Sequence, residues 1–148
     1  MIDRSLIGHR FEPLSVDVEK GRLRAFAKAT GATDQTYTDE NAARAAGYAA
    51  LPAPPTFLFS LDLERDDPFY FIDLMKIDLA RVLHAEQHFT YGTPICAGDT
   101  ITLTTAVEDI YDKKAGAMEF VILKTSAANQ NGQDVGSMTR TLVVRHPQ

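Results

Sequence analysis

Two imidazoles and a carboxylate recur at every second residue in His84-Ala85-Glu86-Gln87-His88. In an extended strand that period places His84, Glu86 and His88 on one face, with Leu83, Ala85, Gln87 and Phe89 on the other. Such a face could move protons near neutrality or hold a metal. Same-face neighbours on one strand are ~7 Å apart, however, and no CxxC pair adds ligands. For His88 a partly solvated polar face or a subunit contact accounts for the pattern better; for His84 both readings stand. Upstream, Asp34 and Asp39 flank Tyr37. Tyrosine is a poor general base because its ordinary pKa is near 10, but its hydroxyl can hydrogen-bond a ligand oxygen or a water. The two aspartates could act as bases, although Asp39 is accounted for at least as well as a helix cap. Cys96 has no base at motif spacing and is read as inert.

The elements that must position these residues follow from period and punctuation. Phe11 to Val18 is extended. Glu19 to Thr30 carries Leu23, Phe26, Ala27 and Thr30 at helical spacing, with Gly31 as a stop. Thr38 or Asp39 caps a short Ala-rich helix ended by Gly47, with an acidic first turn that suits the helix dipole. Pro52, Pro54 and Pro55 force an extended entry into Thr56 to Leu63, which is apolar nearly all round and therefore reads as a helix buried on most sides. Four strands follow: Leu83 to Tyr91, Thr100 to Tyr111, Ala117 to Ala127 and Val135 to His146. Asn129-Gln130-Asn131-Gly132 is a hairpin turn between the last two, so the sheet is mainly antiparallel. Helices first and strands last, with no linker between them, predict one α+β domain over residues 1–148.

Composition bounds the function classes. With 148 residues, 45% hydrophobic and 24% charged, the chain suits one globular core. A net charge of -5, a pI near 5.3 and 15 scattered basic residues argue against nucleic-acid binding. A single cysteine forms no internal disulfide, and the opening residues lack the apolar run of a signal peptide, so a cytoplasmic location is expected. No stretch approaches the ~20 apolar residues of a membrane helix. No GxGxxG or GxxxxGK loop calls for a nucleotide, and no redox cofactor or metal is expected.

The run Phe26 to Glu40, with Gly31 at its centre, the Ala53-Pro54-Pro55-Thr56-Phe57 entry, and His84 to Phe89 followed by Pro94 and Ala97-Gly98-Asp99 resemble the MaoC-like hydratase and dehydratase family. The likeness extends over nearly the whole chain and is strongest to the FAS1-like dehydratase amino-terminal branch. It implies a hot-dog fold, a curved antiparallel sheet wrapped around a buried central helix. In that family's Gly-Asp-x-Asn-Pro-x-His motif, Asp and His activate a water for addition across an enoyl thioester. Registered on Gly31, Ala32 falls at the Asp, Asp34 at the Asn, Gln35 at the Pro and Tyr37 at the His. The frame is present and the dyad is missing, as in the degenerate halves of the family's two-part enzymes.

The resemblance further implies an acyl-CoA or acyl-carrier-protein thioester as ligand, with the strand from Leu83 beside the substrate tunnel. It also implies that backbone N–H groups of Thr56 and Phe57, at the start of the central helix, polarise the thioester carbonyl. A Pro-initiated helix with nothing bound explains the same residues. The expected site is therefore Tyr37, His84 and Asp34 for chemistry, with Thr56, Phe57, Asp39 and Glu86 for binding. Three functions follow: an (R)-specific enoyl-CoA hydratase or 3-hydroxyacyl dehydratase with a displaced dyad; a non-catalytic acyl-binding subunit paired with a catalytic MaoC-like chain; and an acyl-CoA thioesterase using Asp62 or Glu64. A homodimer or heterodimer is expected because a lone hot dog leaves a strand edge bare.

Overall fold

The computed structural model describes residues 1–146, and its organising element is one five-stranded, wholly antiparallel sheet. In chain order come β1 (Leu14–Asp17), α1 (Lys20–Ala29), α2 (Glu40–Ala45), α3 (Phe57–Asp62), α4 (Phe71–Met75), β2 (Val82–Tyr91), β3 (Thr100–Lys113), β4 (Met118–Ala128) and β5 (Asp134–Arg145). The strand order is β1-β3-β4-β5-β2, so ten-residue β2 is an edge strand although it precedes β3, β4 and β5 in sequence.

Alternation on β3, β4 and β5 supplies one apolar face, and two clusters of buried side chains cover it. Phe57, Leu58 and Leu61 of α3 pack with Leu23 of α1 against Ile101, Leu103, Ala127 and Met138. Phe71 and Met75 of α4 pack against Val107, Val121, Leu123 and Leu142 farther along. The apolar run after the prolines is thus the helix at the heart of the fold. Fully burying one such aromatic or aliphatic side chain stabilises by about 1.5–3 kcal/mol, which explains how a helix of six residues persists without length of its own.

Local signals set the boundaries. The Asp39 carboxylate accepts the Ala42 N–H at 2.8 Å and caps α2. The Asn129 side chain accepts the Asn131 and Gln133 N–H groups, which shapes the β4–β5 turn. Gly136, at φ +129°, lies where a Cβ would overlap the Thr90 carbonyl oxygen, so its lack of a side chain allows β2 to close on β5. At the far end of the sheet the buried Glu119 carboxylate accepts the Ile2 N–H at 2.9 and 3.1 Å, and His146 Nε2 lies 2.6 Å from it.

One expectation is corrected. His84, Glu86 and His88 do not share a face. The β2–β5 register slips between His84, opposite Leu142, and Glu86, opposite Thr141, and leaves Ala85 as a bulge. An extra residue reverses the alternation beyond it. His84 stays on the face of Leu142, toward the interior, whereas Glu86 and His88 fall on the opposite face with Thr141 and Thr139. Gln87, expected with Ala85, instead comes opposite Arg140 on the inner side.

Candidate functional site

The amino-terminal end of α3 is built from an irregular backbone. Thr56 occupies the N-cap with φ 71° and ψ -7°, a left-handed conformation that is uncommon for a β-branched residue. Its N–H donates to the Tyr91 hydroxyl at 3.2 Å, while the Phe57 N–H donates to the Pro54 carbonyl at 3.1 Å. Of the two expected backbone donors, then, Phe57 is used within its own turn and its ring is core, packed edge-on to Phe26. Thr56 points its amide at a tyrosine oxygen on the edge strand. Tyr91 is 60% exposed. Its hydroxyl, having accepted from Thr56, retains a proton to donate outward. Beside this end lies a cavity of about 150 Å³ lined by Pro54, Thr56, Leu58, Tyr91 and Ile95.

Tyr37 belongs to the same end. Burial raises its pKa above the ordinary tyrosine value, and the nearby Asp34, Tyr48 and Tyr91 act in the same direction. The ring therefore keeps its proton and can donate a hydrogen bond, but it is a worse base than a free tyrosine. The Asp34 carboxylate accepts the Thr36 N–H at 2.9 Å, capping the single turn that carries Tyr37, and this bond lowers its pKa. Asp39 is occupied in capping α2. Ala32, which the resemblance registers with the family's Asp, has a side chain without a polar group.

The carboxyl-terminal end of α3 has a different chemistry, an ion cluster of which the sequence singled out only Asp62. Asp62 closes the helix with its side chain 1% exposed; one carboxylate oxygen takes Arg140 Nη2 at 3.0 Å and the other Arg65 Nε at 3.1 Å. The Tyr70 hydroxyl lies 3.4 Å from both Asp62 and Arg140. Burial, and then the Asp62 charge, raise the Tyr70 pKa. The Arg140 guanidinium lies over the Phe59 and Phe71 rings, 5.6 and 5.3 Å from their centroids. Beside it is a cavity of about 220 Å³ walled by Phe59, Leu63, Phe71, His84, Arg140 and Leu142. A larger cavity, about 420 Å³, lies elsewhere, between the amino-terminal turn and the α4–β2 connection, lined by Ile2, Met75, Lys76, Asp78 and His146.

His84 is therefore in the second cavity and not beside Tyr37. Its ring packs at 5.6 Å on Phe59, and its Nε2 is 3.2 Å from the Glu86 carbonyl. Along β2 it stands seven residues from Tyr91, roughly 20 Å by the strand rise. Glu86, on the outer face, reaches neither end of α3. The structure thus gathers Tyr37, Asp34, Tyr91 and Thr56 at one end of the helix and His84, Arg140 and Asp62 at the other. Of the second group the sequence named His84 and, for a thioesterase, Asp62, but it gave no hint that Arg140 joins them.

The chain matches the FAS1-like, dehydratase domain region family over residues 5–138. It is 32% identical over 145 residues to a UPF0336 protein of Streptomyces avermitilis, covering 97% of this chain and 95% of that one. To a UPF0336 protein of Clavibacter michiganensis it is 38% identical over 128 residues, covering 86% and 85%. Its fold superimposes on a chain of the HadBC (3R-hydroxyacyl-ACP dehydratase) complex of Mycobacterium tuberculosis with a TM-score of 0.79, 25% identity and coverage of 93% and 96%. A MaoC-like dehydratase superimposes with a TM-score of 0.83 at 21% identity, covering 95% of this chain but only 42% of the other. A five-stranded antiparallel sheet around the buried α3 is the hot-dog fold of these neighbours, and the chain belongs to the FAS1-like dehydratase domain family.

Proposed function

We propose that this chain is the acyl-binding, non-catalytic half of a two-chain enoyl-thioester hydratase or 3-hydroxyacyl-thioester dehydratase. The observation that carries the reading is the separation of its candidate acid-base groups. Hydration needs a proton acceptor and a water-positioning group within hydrogen-bond reach of one another. Tyr37 holds its proton more tightly than usual, Asp34 and Asp39 are occupied as caps, and His84 is roughly 20 Å along the strand from the Tyr91 end. Donors remain. The Tyr91 and Tyr37 hydroxyls at the head of α3 can bond a thioester oxygen, and the apolar flank of α3 can take the chain.

The half-chain reading is further supported by two neighbours. The HadBC structure is described as a complex, and so is the ChsH1-ChsH2 structure of M. tuberculosis, which superimposes with a TM-score of 0.75 at 21% identity. Edge strand β2 offers the unpaired ladder along which a second hot-dog chain would extend the sheet. A thioesterase role has less support, because the Asp62 carboxylate is enclosed by two guanidinium groups. Catalysis would come from the partner's own Asp and His.

Hydration of short to long enoyl-CoA thioesters, followed by loss of the conjugated enoyl absorbance, tests this directly. The purified chain alone is expected to bind acyl-CoA without turnover, and to gain turnover when coexpressed with a MaoC-like chain from its host. Turnover by the lone chain that Tyr37→Phe and His84→Ala abolish would instead make it a hydratase with a displaced dyad.

A further inference from the structure

We infer that the cavity at the carboxyl-terminal end of α3 receives a carboxylate, carried on the far end of the acyl chain. This rests on the acyl-binding reading above and adds a substrate class to it. The argument begins with charge. Two guanidiniums, buried Arg140 and partly buried Arg65, share one carboxylate, Asp62, which leaves the cluster with an excess positive charge largely shielded from water. Buried charge is costly unless it is paired and hydrogen-bonded. Tyr70 cannot supply the missing anion, since its surroundings raise its pKa above the ordinary value.

Hydrogen-bond geometry gives the direction. Within the described residues, the Arg140 guanidinium makes its hydrogen bonds to Asp62 and Tyr70 through Nη2 alone. Arg65 lies behind it, outside the cavity wall, donating through Nη1 to the Glu12 carbonyl and leaving a buried Nη2 without a partner among the described residues, so Arg140 is the group that faces the cavity. Arg140 forms part of the cavity wall, and its plane is held between Phe59 and Phe71, which line the same cavity. A carboxylate entering there would meet a fixed, side-chain 7% exposed guanidinium with nitrogens to spare, the geometry in which charge-assisted bonds are strongest. His84 adds a ring nitrogen to the same wall.

The path from the head group is also marked. Between Tyr91 at one cavity and His84 at the other, the inner face of β2 presents Phe89 and Gln87. Gln87 lines neither cavity, but both polar atoms of its buried amide lack a partner among the described residues, a state that a polar ligand or water between the two cavities would relieve. Arg140 stands opposite Gln87, four residues along β2 from Tyr91 and roughly 13 Å by the strand rise, a span that an extended eight-carbon chain covers once the hydrogen bonds at its two ends are added.

Titration calorimetry with octanoyl-CoA and with 7-carboxyheptanoyl-CoA, which differ in the terminal carboxylate, decides the matter. The carboxylated thioester should bind the intact protein about tenfold more tightly, a preference that Arg140→Leu should erase. Should Arg140→Leu fail to fold, Leu63→Glu, on the half-exposed rim of the cavity, should reverse the preference by like-charge repulsion. Equal affinity for the two thioesters would overturn the inference and leave the acyl-binding reading intact. Failure of both to bind would remove both, and so would not be confused with the first result. A preference that persists in a folded Arg140→Leu or Leu63→Glu protein would place the carboxylate elsewhere and overturn the assignment.

Discussion

The two ends of α3 lie about nine ångströms apart by the helical rise, yet they solve the problem of a polar group beside a core in opposite ways. At Thr56 the polar groups are a backbone N–H and neutral hydroxyls, and Tyr91 is largely in water. At Asp62 they are ions, shielded from water and tied both to Arg65 one turn on and to Arg140, 78 residues along the chain. The head of the helix can therefore vary its side chains and keep its donors. The tail cannot lose one member without stranding the others. On the family resemblance Tyr37 stands at the His position, and it lies at this tolerant end, where a change of side chain leaves the backbone donors in place.

The largest way to break the comparison is at the tail. Asp62→Asn leaves two guanidiniums facing no carboxylate and should cost about 3–5 kcal/mol in chemical denaturation, whereas Asp34→Asn at the solvent-facing head should move the midpoint little. Equal losses would mean that the two ends are energetically alike. A smaller effect of opposite sign is expected from Thr56→Gly. Relieving a left-handed β-branched residue should stabilise by about 1 kcal/mol, seen as a raised Tm, and an unchanged or lowered Tm would show that this cap is unstrained.

The smallest effect sharpens the comparison through pH. The Tyr70 pKa is raised in the folded protein above its reference of 10.0, so the folded state holds this proton longer than the unfolded chain does. Stability from Tyr70 is thus fully present below pH 10 and is lost as pH rises through the higher folded value. Tyr70→Phe should flatten that alkaline decline in a pH series of denaturation midpoints while costing about 1 kcal/mol or less at neutrality, its hydroxyl contacts being long. An undiminished decline in the variant would assign the effect to another group.

Much of this was legible because it is written locally. The Asp39 cap, the stop at Gly31, the Asn129–Gly132 turn and the four long strands depend on neighbours within a few residues, and residue type announces them. The apolar run after Pro55 announced the buried helix for the same reason. The tail of α3 was not legible, since Asp62 and Arg140 are 78 residues apart and nothing local pairs them. Nor was the position of His84 relative to Glu86 and His88: alanine has no signature as a bulge, and the slip becomes visible only where β2 is set against β5. One short helix, α4, was also missed, because five residues span too few turns for a period to emerge. At the site, the head was foreseen in outline through Thr56, Tyr37 and Asp34, but the split of the candidates between two ends depended on the length of β2 and on the pairing of Asp62 with Arg140.

The bulge at Ala85 has a bearing on how the molecule associates with others. A straight ten-residue edge would accept any extended chain, a second copy or an unfolded one, in whatever register arrived first. Ala85 interrupts that edge near its middle, so its free ladder comes in two offset segments. A strand that docks along the full edge must carry a complementary irregularity at the matching place. Mispaired sheets are thereby cut short, and the choice of companion is written into the backbone before any side chain is read.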